Sequence, residues 1–267
     1  MDLAKRIRLN RIFSHPSGRL CSVAVDHLIG YQKGLPTGLT NVPETLARLV
    51  AGRPDAITML KGMAKNAWEP YAGRVPLIIQ AVCFTVDDAV IENVARPAEV
   101  LRLGADAIAV SIGVRGPNEG RFLRLLGQMV EEADPLGLPV VAHIYPRDFA
   151  NGARVVFDPE NIFWAVRCGL ECGADVIKVP FTGDAASFRD IHRTSTVPVV
   201  AAGGPRCESL RDALELMARV VESAARGATI GRNVWGVPDP ARALAALRAV
   251  LHDGRSPDAA LAEAGLS

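Results

Sequence analysis

Eight short apolar runs, mostly separated by helix-length segments, constrain this chain more than any other feature: Cys21–Asp26, Ala56–Leu60, Leu77–Val82, Ala107–Ser111, Val140–Tyr145, Val176–Pro180, Val199–Ala202 and Ala228–Gly231. They are too continuously apolar to alternate between a wet and a dry face. That is the pattern of parallel strands covered on both sides, and the intervening segments are long enough for crossover helices. Amphipathic periodicity is clearest at Val42–Ala51, Glu119–Asp134, Asn161–Cys172, Glu208–Ala225 and Pro240–Leu251. Strand count, alternation and a length of 267 residues together predict an α/β chain folded as a single (β/α)8 barrel. A doubly wound open sheet is the competing arrangement, but no GxGxxG follows the first run. No Pro/Gly/Ser-rich linker divides the chain, so residues 1–267 read as one domain, with residues 1–20 available to close the barrel floor. The phrases Gly104-Ala105-Asp106 and Gly173-Ala174-Asp175 each join a helix end to a strand and read as turn grammar without chemistry.

Charge narrows the partner. Thirty Lys+Arg against twenty-nine Asp+Glu leave +1, so there is no global field to hold nucleic acid or an anionic membrane surface, and a small-molecule partner is expected. No apolar stretch approaches the ~20 residues that cross a bilayer. The first ten residues also lack the apolar core of a secretory signal, which points to the cytoplasm. The five cysteines are odd in number and contain no CxxC pair, and His15, His27, His143, His192 and His252 form no HxH or HxxxH cluster; neither a disulfide framework nor a metal site is expected. A GxxxxGK[ST] loop is absent, which disfavours nucleotide hydrolysis.

Barrels place their chemistry where strands end and βα loops begin. Polar residues there are Asp26 and His27, Lys61, Arg115, His143, Tyr145 and Arg147, and Lys178; the seventh run ends in Gly203-Gly204 and the eighth in Gly231-Arg232-Asn233. Lys178 stands out because only five of the thirty cations are lysines and this one lies inside Asp175-Val176-Ile177-Lys178-Val179-Pro180. An amine can add to a carbonyl and lose water to form an iminium, a guanidinium cannot, and desolvation favours the neutral nucleophile. The plain alternative is a lysine that snorkels to the rim or pairs with a carboxylate. Lys61, followed by Gly62 and Lys65, reads as a solvated or phosphate-facing lysine. Asp26 can shuttle protons or hold an ammonium, or simply cap a turn. His27 is a lone histidine of mainly structural type that also faces the substrate side. Tyr145 and His143 share one strand face, so one strand presents two proton carriers. Two glycine turns in adjacent loops, with Arg206 and Arg232, form a phosphate-binding candidate through Gly203, Gly204, Gly231 and Arg232, beside a short helix beginning near Val234.

From about Leu20 to Gly254 the chain resembles the archaeal-type class I fructose-bisphosphate aldolases, grouped with the deoxyribose-phosphate aldolases. The resemblance is carried by Asp26-His27, Leu103-Gly104-Ala105-Asp106-Ala107, Tyr145-Pro146-Arg147, Gly173 to Lys178, Ala202 to Pro205 and Gly231 to Trp235. It implies a metal-independent aldehyde-lyase without cofactor, acting on a phosphorylated ketose such as fructose 1,6-bisphosphate, with Lys178 as the Schiff-base lysine. Tyr145 would then be the proton donor and acceptor, Asp26 the carboxylate beside the lysine, and the glycine loops the phosphate cradle. It also implies a homo-oligomer. The sequence departs from the family pattern in three places. Asp26-His27-Leu28-Ile29-Gly30 replaces a frequent Asp-His-Gly, His143 stands where tryptophan can precede the tyrosine, and Arg206 stands where lysine often follows Gly-Gly-Pro. These departures keep two relatives' chemistries open, transaldol transfer and acyl transfer to coenzyme A from a phosphorylated keto compound. A non-catalytic phosphate-binding barrel is the remaining alternative.

Overall fold

The computed structural model describes residues 2–27, 34–150 and 152–266, so the Leu28-Ile29-Gly30 part of the first loop lies outside the described residues. Eight parallel strands close into a (β/α)8 barrel: β1 (Leu20–Ala24), β2 (Ile57–Leu60), β3 (Leu77–Phe84), β4 (Ala107–Val114), β5 (Val140–Asp148), β6 (Val176–Pro180), β7 (Val199–Ala202) and β8 (Gly227–Ile230). Each pairs with the next in chain order, and β8 returns to β1 over Leu20↔Gly227 to Val23↔Ile230. Closure needs glycine at 227: a Cβ there would lie 2.1 Å from the Leu20 carbonyl oxygen, and φ is +100°. All eight predicted runs are strands. β3, β4 and β5 run longer than predicted: antiparallel additions Ile91–Asn93 and Arg154–Val155 pair with Val82–Phe84 of β3 and Arg147–Asp148 of β5, and the end of β4, Ile112–Val114, pairs with Ile144–Pro146 of β5.

The helices follow the polar signals in the sequence. Asp158 and Asp239 cap Pro159–Glu171 and Pro240–Asp253, each with proline in the first turn, and Ser209 with Asp212 forms a capping box on Leu210–Glu222. Gly104 and Gly173 take left-handed φ of +75° and +81°, as their turn reading requires. Their aspartates do more than turn the chain. Asp106 accepts the Leu77 amide at 3.2 Å, and Asp175 accepts the Val140 amide at 2.8 Å, each tying the start of its own strand to that of a neighbouring strand.

Inside the barrel the strands do alternate, one layer at a time. Leu20, Ile78, Ala107, Ala109, Val141, Val176 and Val200 form an apolar floor, which the N-terminal helix Leu3–Ile12 plugs with Leu9 and Ile12. One pleat higher the strands present polar groups: Ser22 and Thr229, bonded at 2.7 Å, then Gln80, Ser111, His143 and Lys178. Among the described residues no helix is long and apolar enough to cross a membrane.

Candidate active site

Parallel register brings the polar layer together. His143 on β5 pairs directly with Lys178 on β6 and with Ser111 on β4. Above them, two cavities of about 310 and 360 Å³ share Lys178, Tyr145, His27 and Arg232 in their walls. The first extends under the ends of β7 and β8 and is lined by Gly203, Gly204, Gly231 and Arg232. The second extends over β3 to β5 and is lined by Asp26, Gln80, Ser111 and His143. Lys178 therefore stands at the junction of a glycine-loop half and a polar half. All nine candidate site residues converge on this one cleft.

Lys178 is 5% exposed, and among the described residues no carboxylate or hydrogen-bond partner lies within bonding distance of its Nζ. The other described lysines are paired: Lys5 with Asp134 and Asp175, Lys61 and Lys65 with Glu99. Neither the snorkelling nor the carboxylate-paired alternative describes Lys178. Asp26 lines the polar half, but its Oδ1 lies 3.6 Å from His27 Nδ1 and it forms no ion pair with Lys178. Asp26, expected beside the lysine, lines the same cavity as Lys178.

The histidines have distinct settings. Burial is the main reason the His143 pKa falls well below its ordinary value, and the Lys178 charge and His27 lower it further. Burial also lowers His27, opposed by Asp26 and assisted by Lys178 and Arg232. Both imidazoles are therefore neutral near pH 7 and act as hydrogen-bonding groups. His27 stacks edge-on to Trp235 at 5.3 Å and packs on Gly231, where a Cβ would come within 2.7 Å of its ring. Cys83 also lines the polar half, but burial, with Asp26 nearby, pushes its thiol up to about 12, so it stays protonated.

The glycine loops are clamped by a residue that a reading of strand ends left without a role. Asn233 Nδ2 donates to the carbonyls of Gly203 and Pro205 at 2.9 and 3.0 Å, and its Oδ1 accepts the Cys207 amide at 2.9 Å. Arg232 donates to the Gly204 carbonyl at 3.0 Å, which fixes its guanidinium on the cavity wall. Gly203 lines the cavity, yet its own amide is committed to the Thr229 carbonyl at 2.9 Å, so it supplies wall and not a donor. Arg206 turns away and donates to the Gly236 carbonyl. The short helix starts at Arg232, two residues earlier than expected, and the Trp235 indole anchors it to the Ala24 carbonyl at 2.9 Å.

Three strand-end residues fall outside the cleft. Lys61 begins the helix Lys61–Ala67, not a loop, and reaches Glu99 at 2.8 Å. Arg115 stacks on Trp164 and bonds Asn161 at 2.9 Å. Arg147 is fully buried, ion-paired with Asp88 and surrounded by Phe84, Phe122 and Phe149, where it ties β5 to the hairpin after β3. Gln80 lies inside its apolar run and Ser111 closes the run Ala107–Ser111, which the structure extends to Val114; the signal for both was their polarity within Leu77-Ile78-Ile79-Gln80-Ala81-Val82 and Ala109-Val110-Ser111-Ile112. Among the described residues, no group of three or more His, Cys, Asp or Glu side chains is placed to hold a metal ion.

The family model of the DeoC/LacD family aldolases matches residues 20–236. The chain is 33% identical to the 2-amino-3,7-dideoxy-D-threo-hept-6-ulosonate synthase of Halobacterium salinarum, over 99% of this chain and 98% of that protein. It is 29% identical to the 2-amino-4,5-dihydroxy-6-oxo-7-(phosphonooxy)heptanoate synthase of Streptomyces griseus, over 98% and 95%. Its fold is similar to the crystal structure of an archaeal fructose 1,6-bisphosphate aldolase, with a TM-score of 0.82 and 28% identity over 94% of this chain and all of that one. It is likewise similar to the Schiff-base-forming fructose-1,6-bisphosphate aldolase studied through its reaction intermediates, with a TM-score of 0.81 and 29% identity over 92% and 99%.

Proposed function

The chain belongs to the DeoC/LacD aldolase family, a family of lyases, and on that premise we propose that it makes or breaks a carbon–carbon bond in a phosphorylated ketose through an imine on Lys178. The observation that carries this reading is the buried Lys178, without an ion-pair partner among the described residues, between a glycine-loop cavity and a polar cavity. Nζ adds to the substrate ketone, and loss of water gives an iminium whose nitrogen accepts the electron pair of the breaking bond, so no metal ion is needed for that task. Tyr145, in the walls of both cavities, takes the hydroxyl proton next to the breaking bond and returns a proton to the enamine carbon. Asp26 faces the same space and carries protons to and from solvent. Gly204, Gly231 and Arg232 hold the phosphate and so fix the ketone over the lysine. Neutral His27 and His143 bond the substrate hydroxyls.

A second reading concerns direction and substrate, with fructose 1,6-bisphosphate as the first reading's example. It is favoured by the two synthases that match nearly the whole chain. The Streptomyces griseus product, by its name, has a 6-oxo group beside a 7-phosphate and hydroxyls at 4 and 5, which an aldol addition at an imine would produce. On this reading the enzyme works as a synthase that needs an acceptor aldehyde. The test of the shared chemistry is borohydride reduction in the presence of dihydroxyacetone phosphate. A mass adduct on Lys178, insensitive to EDTA and absent in Lys178→Met, is expected; an adduct that persists in that variant overturns the assignment. Release of product from a ketose phosphate without acceptor supports cleavage, and turnover only with an added aldehyde supports the synthase.

A further inference from the structure

The polar half of the cleft contains a hydrogen-bonding group with nothing to bond. Gln80 is 3% exposed, its amide nitrogen donates to the Ser111 hydroxyl, and its Oε1 is buried without a partner among the described residues. Both residues line the cavity over β3 to β5. A buried, orphaned acceptor is costly, so its persistence at the wall of a substrate cavity points to a donor that arrives with the substrate. Ser111 accepts from Gln80, which leaves its own proton to donate. The pair thus offers one acceptor and one donor side by side, the complement of a hydroxyl group.

The charges in the same half point the same way. Apart from Lys178 and Arg232, already engaged by the ketone and the first phosphate, no lysine or arginine lines it among the described residues. Asp26 adds a negative charge, His143 is held neutral by its burial, and Arg147 is locked onto Asp88 outside the cavity. A second phosphate placed there would meet a carboxylate and an amide oxygen, with no further cation among the described residues.

We propose that Gln80, with Ser111, is the specificity-determining pair for the substrate half remote from the glycine loops, accepting a hydrogen bond from a hydroxyl or ammonium group and excluding a phosphate there. This deepens the imine reading and rests on it: the substrate class becomes a ketose with a single phosphate, or in the joining direction an unphosphorylated acceptor aldehyde.

The test is condensation of dihydroxyacetone phosphate with glyceraldehyde or with glyceraldehyde 3-phosphate, alongside the borohydride adduct that dihydroxyacetone phosphate alone forms on Lys178. The native enzyme is expected to favour the unphosphorylated aldehyde about tenfold in kcat/KM. Gln80→Leu is expected to lose about tenfold with it, mainly through KM, with the adduct unchanged. Gln80→Glu, which keeps an acceptor, restores most of the activity with glyceraldehyde and worsens the phosphorylated aldehyde further. Ser111→Ala removes the donor alone and serves if Gln80→Leu does not fold. Preference for glyceraldehyde 3-phosphate, or an unchanged aldehyde ratio in both Gln80→Leu and Ser111→Ala, overturns the proposal while leaving the imine intact. Absence of any adduct on Lys178 overturns the imine reading, and this one with it.

Discussion

Two buried lysines sit at opposite ends of the same barrel, and they are buried for opposite reasons. Lys5, 6% exposed on the plug helix, donates to Asp134 and to Asp175, the latter at 2.8 Å, and so locks that helix to the starts of β5 and β6. Lys178, 5% exposed midway along β6 and facing the cleft, has no such partner among the described residues. At the floor the buried aspartates are paired: Arg11 meets Asp106 at 3.0 Å, and Asp55 collects Arg248, His252 and the Cys21 amide at 2.7, 2.9 and 2.6 Å. At the mouth, buried polar groups are left incompletely satisfied, as at Gln80 Oε1. Completed networks hold a fold together; open valences at a cavity wall are a cost that a bound substrate can relieve.

The sharpest way to break this contrast is to make the same substitution at both ends. Lys178→Met is expected to lower turnover by about 10⁴-fold or more, because no neighbouring amine can form the imine. Its melting temperature should hold or rise, since an apolar chain replaces a buried lysine that makes no ion pair among the described residues; a large fall in calorimetry would mean Lys178 is structural. Next in size is Tyr145→Phe, expected to cost about 10² to 10³-fold in kcat while the borohydride adduct still forms, because proton transfer is lost and the nucleophile remains. Unchanged kcat would remove the phenol from its role.

Lys5→Met is the mirror experiment. Removing the cation strands Asp175 and should cost about 3 kcal/mol of stability, read from urea unfolding, with the adduct on Lys178 intact at 25 °C. Equal loss of adduct and stability would show that the two ends are not independent.

The smallest effect is in pH. His143 and His27 have folded pKa values below the ordinary 6.5, so the stability tied to their neutral forms is present above about pH 6.5 and is lost as pH falls from there toward the folded values. At the floor the windows differ. Burial would raise Asp55, but His252, the Cys21 amide and Arg248 more than offset it, so its contribution is lost only as pH falls below its unfolded value of 3.8. Burial would lower Lys5, but its hydrogen bonds to Asp134 and Asp175 reverse this, and its contribution is lost only as pH rises above 10.5. Urea midpoints measured at pH 7.5 and 5.5 should therefore drop, and drop less in His143→Gln; an identical drop in that variant would exonerate His143.

Much of the mouth was legible in the chain. Lys178, His143 and Tyr145 are polar residues in runs otherwise apolar, and a parallel barrel has one end where such residues meet. The Gly203-Gly204 and Gly231-Arg232 turns follow consecutive strands, which closure makes neighbours. What escaped a reading of strand ends depended on contacts distant in sequence. Asn233 clamps the glycine loops only because β7 and β8 are adjacent, Arg147 is withdrawn from the cleft by Asp88 about sixty positions earlier, and Gln80 is significant only because Ser111 faces it.

The sequence by itself determined the eight strand–helix units, because period and apolar run length are local properties of the chain, and it isolated the one lysine whose neighbours are all apolar. Tertiary structure alone decided which of the buried charged and polar groups would be paired. Pairing depends on the register between strands and on which side chain arrives across the barrel: Lys5 meets two aspartates and is locked, while Lys178 meets no carboxylate among the described residues and keeps its amine for the substrate.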